Sequence, residues 1–128
     1  MVKKQQYQLE YLVHSSIKVL YNSLSTLSGL AEWFAHDVNI KNNVYTFFWE
    51  GSEQEAILLT SRKDDHVRFQ WLEDSGSDCY FELKIKVDAL TNEVALIVTD
   101  FTEPENLTES KLLWDSQISD LKHTLGSA

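Results

Sequence analysis

The chain has 128 residues, 43% hydrophobic and 24% charged, a size and balance that suit a single globular domain over residues 1–128 and argue against a disordered or fibrous chain. Its net charge of −9, from 20 acidic against 11 basic residues with no long run of either sign, disfavours nucleic acid and anionic membrane surfaces, both of which call for clustered Lys and Arg. The lone cysteine, Cys79, rules out an internal disulfide, and no apolar run approaches the roughly 20 residues of a membrane span or follows Lys3 and Lys4 as a leader, so a cytoplasmic location is expected.

Tyr7, Leu9, Tyr11 and Val13 alternate with Gln6, Gln8 and Glu10, the period of two of a strand with one buried face. Ser15 or Ser16 is placed to cap a helix carrying Ile17, Leu20, Tyr21, Leu24 and Leu27 on one side. Ser28-Gly29 interrupts that spacing, and Leu30, Trp33 and Phe34 form a second, shorter apolar face, so two helices are expected rather than one.

From Asp37 the chain becomes a meander. Polar or glycine-containing turns at 41–43, 50–53, 63–65, 73–77 and about 88–92 separate runs rich in β-branched and aromatic residues. The clearest strand spans 78–88, with Cys79, Phe81, Leu83, Ile85 and Val87 on the inner face, which makes Cys79 an inert core thiol. Val67, Phe69 and Trp71 point inward in the strand before it. In 44–49, VYTFFW, both faces are apolar, so either Tyr45, Phe47 and Trp49 or Val44, Thr46 and Phe48 face away from the core, where a homodimer or protein partner could cover them.

Pro104 ends the last strand, and Asn106 with Glu109 has the spacing of a capping box. Leu107, Trp114, Ile118, Leu121 and Leu125 make one stripe on a helix of about 105–125, and Gly126 is placed to stop it. Some twenty residues at 1.5 Å each reach about 30 Å, enough to cross several strands about 5 Å apart. The expected fold is therefore α+β: seven antiparallel strands curved around a long C-terminal helix, with two short helices between the first and second strands.

That order, with Leu30, Trp33 and Phe34 in GLAEWFAHDV and the closing LLWDSQISDLKHTLG, resembles the helix-grip fold of the START-like (SRPBCC) superfamily. The local resemblance is sharpest to the branch that contains the activator of the ninety-kilodalton heat-shock ATPase, whose second helix carries a Trp-Phe pair. Ala35-His36 stands where that branch often has Ala-Pro. The superfamily hosts lipid carriers, hormone receptors, cyclases and chaperone activators, so the resemblance implies a ligand cavity more than a particular activity.

No nucleophile elbow, phosphate loop, dinucleotide fingerprint or metal-ligand spacing is present, and neither a cofactor nor a metal is expected. His36 and Asp37 are adjacent, but neighbours in an extended segment point to opposite faces. The aromatic residues carry more information. Trp33, Phe34, Phe69, Trp71, Phe81 and Trp114, with Ile118 and the phenols of Tyr7 and Tyr11, are the candidate lining of a cavity between sheet and helix. The reading is a noncatalytic domain that binds a small hydrophobic, lipid-like or aromatic ligand. A chaperone-activator-like interaction module and a cyclase or aromatase-type enzyme are the alternatives.

Overall fold

The computed structural model describes residues 3–126. Strand β1 (Gln5–Leu12) is followed by helices α1 (Ile17–Ser25) and α2 (Leu27–Trp33). Strands β2 (Asp37–Lys41), β3 (Val44–Trp49), β4 (Ser52–Arg62), β5 (His66–Trp71), β6 (Phe81–Val87) and β7 (Val94–Thr102) come next, and helix α3 (Leu107–Thr124) closes the chain. The seven strands form one antiparallel sheet in the order β1-β7-β6-β5-β4-β3-β2, so the first strand pairs with the last and every other neighbour is a hairpin. The expected architecture is the observed one. A register shift between Leu58 and Thr60 interrupts the β4–β5 ladder, a place where a strand bends.

The alternation in β1 survives folding: Tyr7 is buried, Leu9 and Tyr11 are half-buried, and Gln6, Gln8 and Glu10 are exposed. Ser16 caps α1, its hydroxyl accepting from the Val19 N–H at 3.1 Å. The break between α1 and α2 falls at Thr26 rather than at Ser28-Gly29, which places Leu27 in α2. Thr26 Oγ1 accepts from the Gly29 N–H at 2.9 Å and donates to the Asn22 carbonyl at 2.8 Å, closing one helix and opening the next. Gly29 lies inside α2 because the helices approach closely there; a Cβ would sit 2.4 Å from the Asn22 carbonyl oxygen.

Two other expectations are corrected. Asn106 occupies the N-terminal position of α3 but makes no side-chain cap, because Pro104–Asn106 form a 3₁₀ turn that leaves Asn106 at ψ 4° instead of the extended value a cap requires. Cys79 lies outside β6, is half-buried and does not join the core. The β5–β6 ladder stops at Phe69–Phe81; beyond it the Gln70 side-chain amide donates to the Ser77 and Cys79 carbonyls at 3.2 and 2.8 Å, in place of a strand partner. Gly126, at φ 73°, ends α3 as expected, its N–H donating to the His123 carbonyl.

The core lies between the sheet and the helices. Leu20 and Leu24 of α1, Leu30 and Trp33 of α2, and Trp114, Ile118 and Leu121 of α3 meet Phe47, Phe69, Phe81, Leu83, Leu96 and Val98 of the sheet. In β3 it is Tyr45, Phe47 and Trp49 that join this core, leaving Val44, Thr46 and Phe48 half-buried on the opposite face.

Candidate functional site

The Trp-Phe pair at the end of α2 organises the interior. Trp33 Nε1 donates to the Ser23 carbonyl at 2.9 Å, fastening α2 to α1. Phe34 follows at the helix end, and its ring lies 5.0–6.4 Å, centroid to centroid, from those of Trp33, Phe47, Trp49, Trp71, Phe81 and Trp114. A carbonyl at a helix C-terminus has no partner within the helix. That of Phe34 accepts from Trp49 Nε1 at 2.9 Å and from Gln117 Nε2 at 3.1 Å, so β3 and α3 are both tied to the end of α2.

Of the candidate lining residues, Trp33, Phe34, Phe69, Phe81, Trp114 and Ile118 are buried in one continuous core, with Tyr7 among them, while Tyr11 and Trp71 are half-buried against it. Phe81 packs against Phe34, Phe69, Trp71 and Trp114 with ring centroids 5.0–6.1 Å apart, so the rings interlock at this depth. The two phenols turn to carboxylates of the protein. Tyr7 donates to Asp100 Oδ2 at 3.3 Å, and Tyr11 to Asp115 Oδ1 at 2.6 Å. Burial, reinforced by those carboxylates, raises both phenol pKa values well above the ordinary tyrosine range.

The aromatic cluster opens to solvent between the end of α2, the β3–β5 side of the sheet and α3. A cleft of about 170 Å³ is walled there by Phe34, Trp49, Trp71 and Trp114, with Asp100 and Gln54 as polar members. A wider cleft of about 540 Å³, bordered by Glu32, His36, Ser116 and Asp120, adjoins it, the two sharing Phe34, Trp49, Leu113 and Gln117.

Asp100 is the residue that sequence reasoning missed. It follows Leu96 and Val98 on the inward-facing register of β7 and pairs directly with Tyr7 across the sheet, so the same alternation that marked the apolar positions could have marked it. Its carboxylate accepts from Trp114 Nε1 at 2.9 Å, from the Tyr7 hydroxyl and from the Phe101 N–H at 2.7 Å. Burial pushes its pKa up, against the opposing pull of those hydrogen bonds. Trp49 was also outside the candidate set, because two apolar faces in VYTFFW gave no basis for choosing between them.

His36 and Asp37 are both exposed; Asp37 turns its carboxylate to the Val38 N–H, and His36 borders the wider cleft. A carboxylate–imidazole–hydroxyl chain does occur elsewhere, Asp65 to His66 at 2.5 Å and His66 to Thr60 at 3.2 Å. The His66 hydrogen bond lowers the Asp65 pKa, but neither Thr60 nor His66 borders the clefts described above. Among the described residues no group of His, Cys, Asp and Glu is arranged to hold a metal ion, and no helix is long and apolar enough to cross a membrane.

A helix-grip scaffold with an aromatic cleft at the end of its second helix defines a class before it defines an activity. The chain belongs to the START-like superfamily, whose domain model matches residues 1–127. Among solved structures it is similar to BfR322 from Bacteroides fragilis at 37% identity, covering 95% of this chain and 91% of that one with a TM-score of 0.67. The Aha1 dimer from Colwellia psychrerythraea shares the fold at 15% identity, 94% and 96% coverage and a TM-score of 0.78. CalU16 from Micromonospora echinospora does so at 12% identity, 93% and 73% coverage and a TM-score of 0.70. No match was found among curated proteins.

Proposed function

We propose that this START-like domain is a noncatalytic binding protein that takes a small apolar or aromatic molecule in the paired clefts between α2, α3 and the β3–β5 side of the sheet. The observation that carries the reading is the wall of the smaller cleft: Phe34, Trp49, Trp71 and Trp114 meet there in mutual ring contact and border solvent-accessible space. Flat apolar walls with a few polar groups are the usual make-up of a small-molecule site. Trp33 borders the wider cleft and Phe81 packs against Phe34, Trp71 and Trp114 from within the core, whereas Phe69, Ile118, Tyr7 and Tyr11 border neither cleft.

The test is a thermal-shift and tryptophan-fluorescence screen with neutral aromatic and acyl compounds. Binding should quench emission, because Trp49, Trp71 and Trp114 border the cleft, and should raise the melting temperature by mass action. Trp49→Ala should abolish both signals. A panel that produces neither signal would remove this reading.

A second reading, association with a protein or a second copy, is favoured by Phe48, half-buried on the face of β3 turned away from the core, and by the fold shared with the Aha1 dimer. Sedimentation distinguishes it. A dimer at about 100 μM that Phe48→Glu dissociates would support this reading, and a monomer at that concentration would count against self-association.

A further inference from the structure

Every ionisable side chain bordering the two clefts is a carboxylate or an imidazole: Glu32, Asp100 and Asp120, with His36. Among the described residues no lysine or arginine borders either. Lys4, whose charge reaches Asp100, is itself paired with Asp74 at 2.9 Å. An anionic ligand such as a fatty acid or a phosphorylated lipid would therefore meet carboxylates on entry and find no cation inside. The proposal below rests on the binding reading above and narrows it.

From Asp100, its aromatic surroundings and the one-signed charge of the clefts, the geometry points to a protonated amine carried on an apolar body as the ligand, the ammonium seated in the smaller cleft and the body in the wider one. Three features converge on it. The smaller cleft, at about 170 Å³ against about 540 Å³ for the wider one, is the narrower of the two and the one that Asp100 borders, which suits an ammonium and its first carbons.

Its walls are three indoles and a phenyl ring, the side chains whose faces attract cations within about 6 Å of their centroids, tryptophan most strongly. Asp100 supplies the counter-charge. An ionised carboxylate offers about four lone-pair sites. Trp114, Tyr7 and the Phe101 N–H occupy three of them, which leaves acceptor capacity for one ligand N–H. The donors already in place also hold the carboxylate in a fixed orientation, so little ordering remains for the ligand to impose.

Titration calorimetry of the purified protein with three probes of matched shape tests this: 2-phenylethylammonium, neutral 2-phenylethanol and anionic 3-phenylpropanoate. The ammonium should bind at least tenfold more tightly than the alcohol, the carboxylate should not bind measurably, and the tenfold margin should narrow as salt is added. Asp100→Asn should erase the margin between the ammonium and the alcohol. Should that variant fail to fold, Trp49→Leu at the half-buried rim provides the second readout: it should weaken the ammonium more than the alcohol, with Trp49→Phe restoring most of the difference. An alcohol that binds as well as the ammonium, or a carboxylate that binds better, overturns the amine assignment and leaves the binding reading standing. No heat from any of the three probes, together with a silent neutral panel, overturns both.

Discussion

Trp114 Nε1 lies 2.9 Å from Asp100 Oδ2, so the largest side chain on the closing helix is anchored to the last strand by a charge-assisted hydrogen bond made inside the aromatic cluster. The same carboxylate oxygen takes the Tyr7 hydroxyl from β1. One inward-facing acid thus joins β1, β7 and α3. Its own hydrogen-bonding capacity is largely met by the protein, a necessary condition for a buried polar network to hold a core together.

Trp114→Ala is expected to destabilise the domain by about 3–5 kcal/mol, the range for large aromatic truncations in cores. Trp114→Phe keeps most of the ring packing and removes the Nε1 donor, so its loss isolates the hydrogen bond, about 1.5–3 kcal/mol for a bond to a charged acceptor. Urea unfolding of the two variants checks both values. A loss below about 1 kcal/mol for Trp114→Ala would contradict the packing seen at 6% exposure.

Phe81→Trp is expected to destabilise by about 1–3 kcal/mol, because Phe81 is 1% exposed and already touches four other rings, and added volume in a filled core forces side chains off their preferred rotamers. The open space lies further out, at Trp49 and Trp71. Ligand affinity in this variant should therefore change less than stability does. Unchanged or raised stability would mean that the cleft reaches inward to Phe81.

Gly29→Ala tests the α1–α2 junction. Alanine is the better helix former by about 1 kcal/mol, yet the new Cβ would lie 2.4 Å from the Asn22 carbonyl oxygen and 2.8 Å from the Ser23 Cα, both backbone atoms that cannot swing aside. Steric displacement should win, for a net loss of about 1–3 kcal/mol by denaturant unfolding. A stabilised variant would show that the two helices are farther apart than described.

The fold was legible wherever one face of an element is wet. Alternation in β1 and β6 and the stripe on α3 set inside from outside, and the turns between strands fell where polar residues cluster. Legibility failed where both faces are apolar, as in β3, and where a side chain replaced a backbone partner, as when Gln70 took the carbonyls of Ser77 and Cys79 and ended the strand early. The capping box at Asn106 failed because spacing does not report the backbone angle that a cap needs. At the candidate site, Phe34, Trp71 and Trp114 could be read from their apolar faces, but Trp49 could not, because β3 is apolar on both sides. Asp100 was passed over because a carboxylate does not count toward an apolar pattern, although its place two residues after Val98 puts it on the same face.

The pH dependence of stability should single out Asp100. Burial raises its folded-state pKa above the ordinary aspartate value of about 3.9, so the native state takes up this proton at a higher pH than the unfolded chain does. A group of that kind contributes stability that is complete below the unfolded pKa and is lost as pH rises through the folded pKa. The two groups with lowered pKa, Asp65 and Asp88, act in the opposite sense, losing stability on acidification, and they are present in wild type and variant alike. Subtracting the melting temperature of Asp100→Asn from that of the wild type removes their contribution. The difference should move in favour of the wild type as pH falls from 7 towards about 4, because only the wild type gains from protonating the buried carboxyl. A difference that is flat with pH would mean that Asp100 titrates in the folded protein as it does in the unfolded chain, and one that moves against the wild type would mean that its hydrogen bonds from Trp114, Tyr7 and Phe101 outweigh its burial.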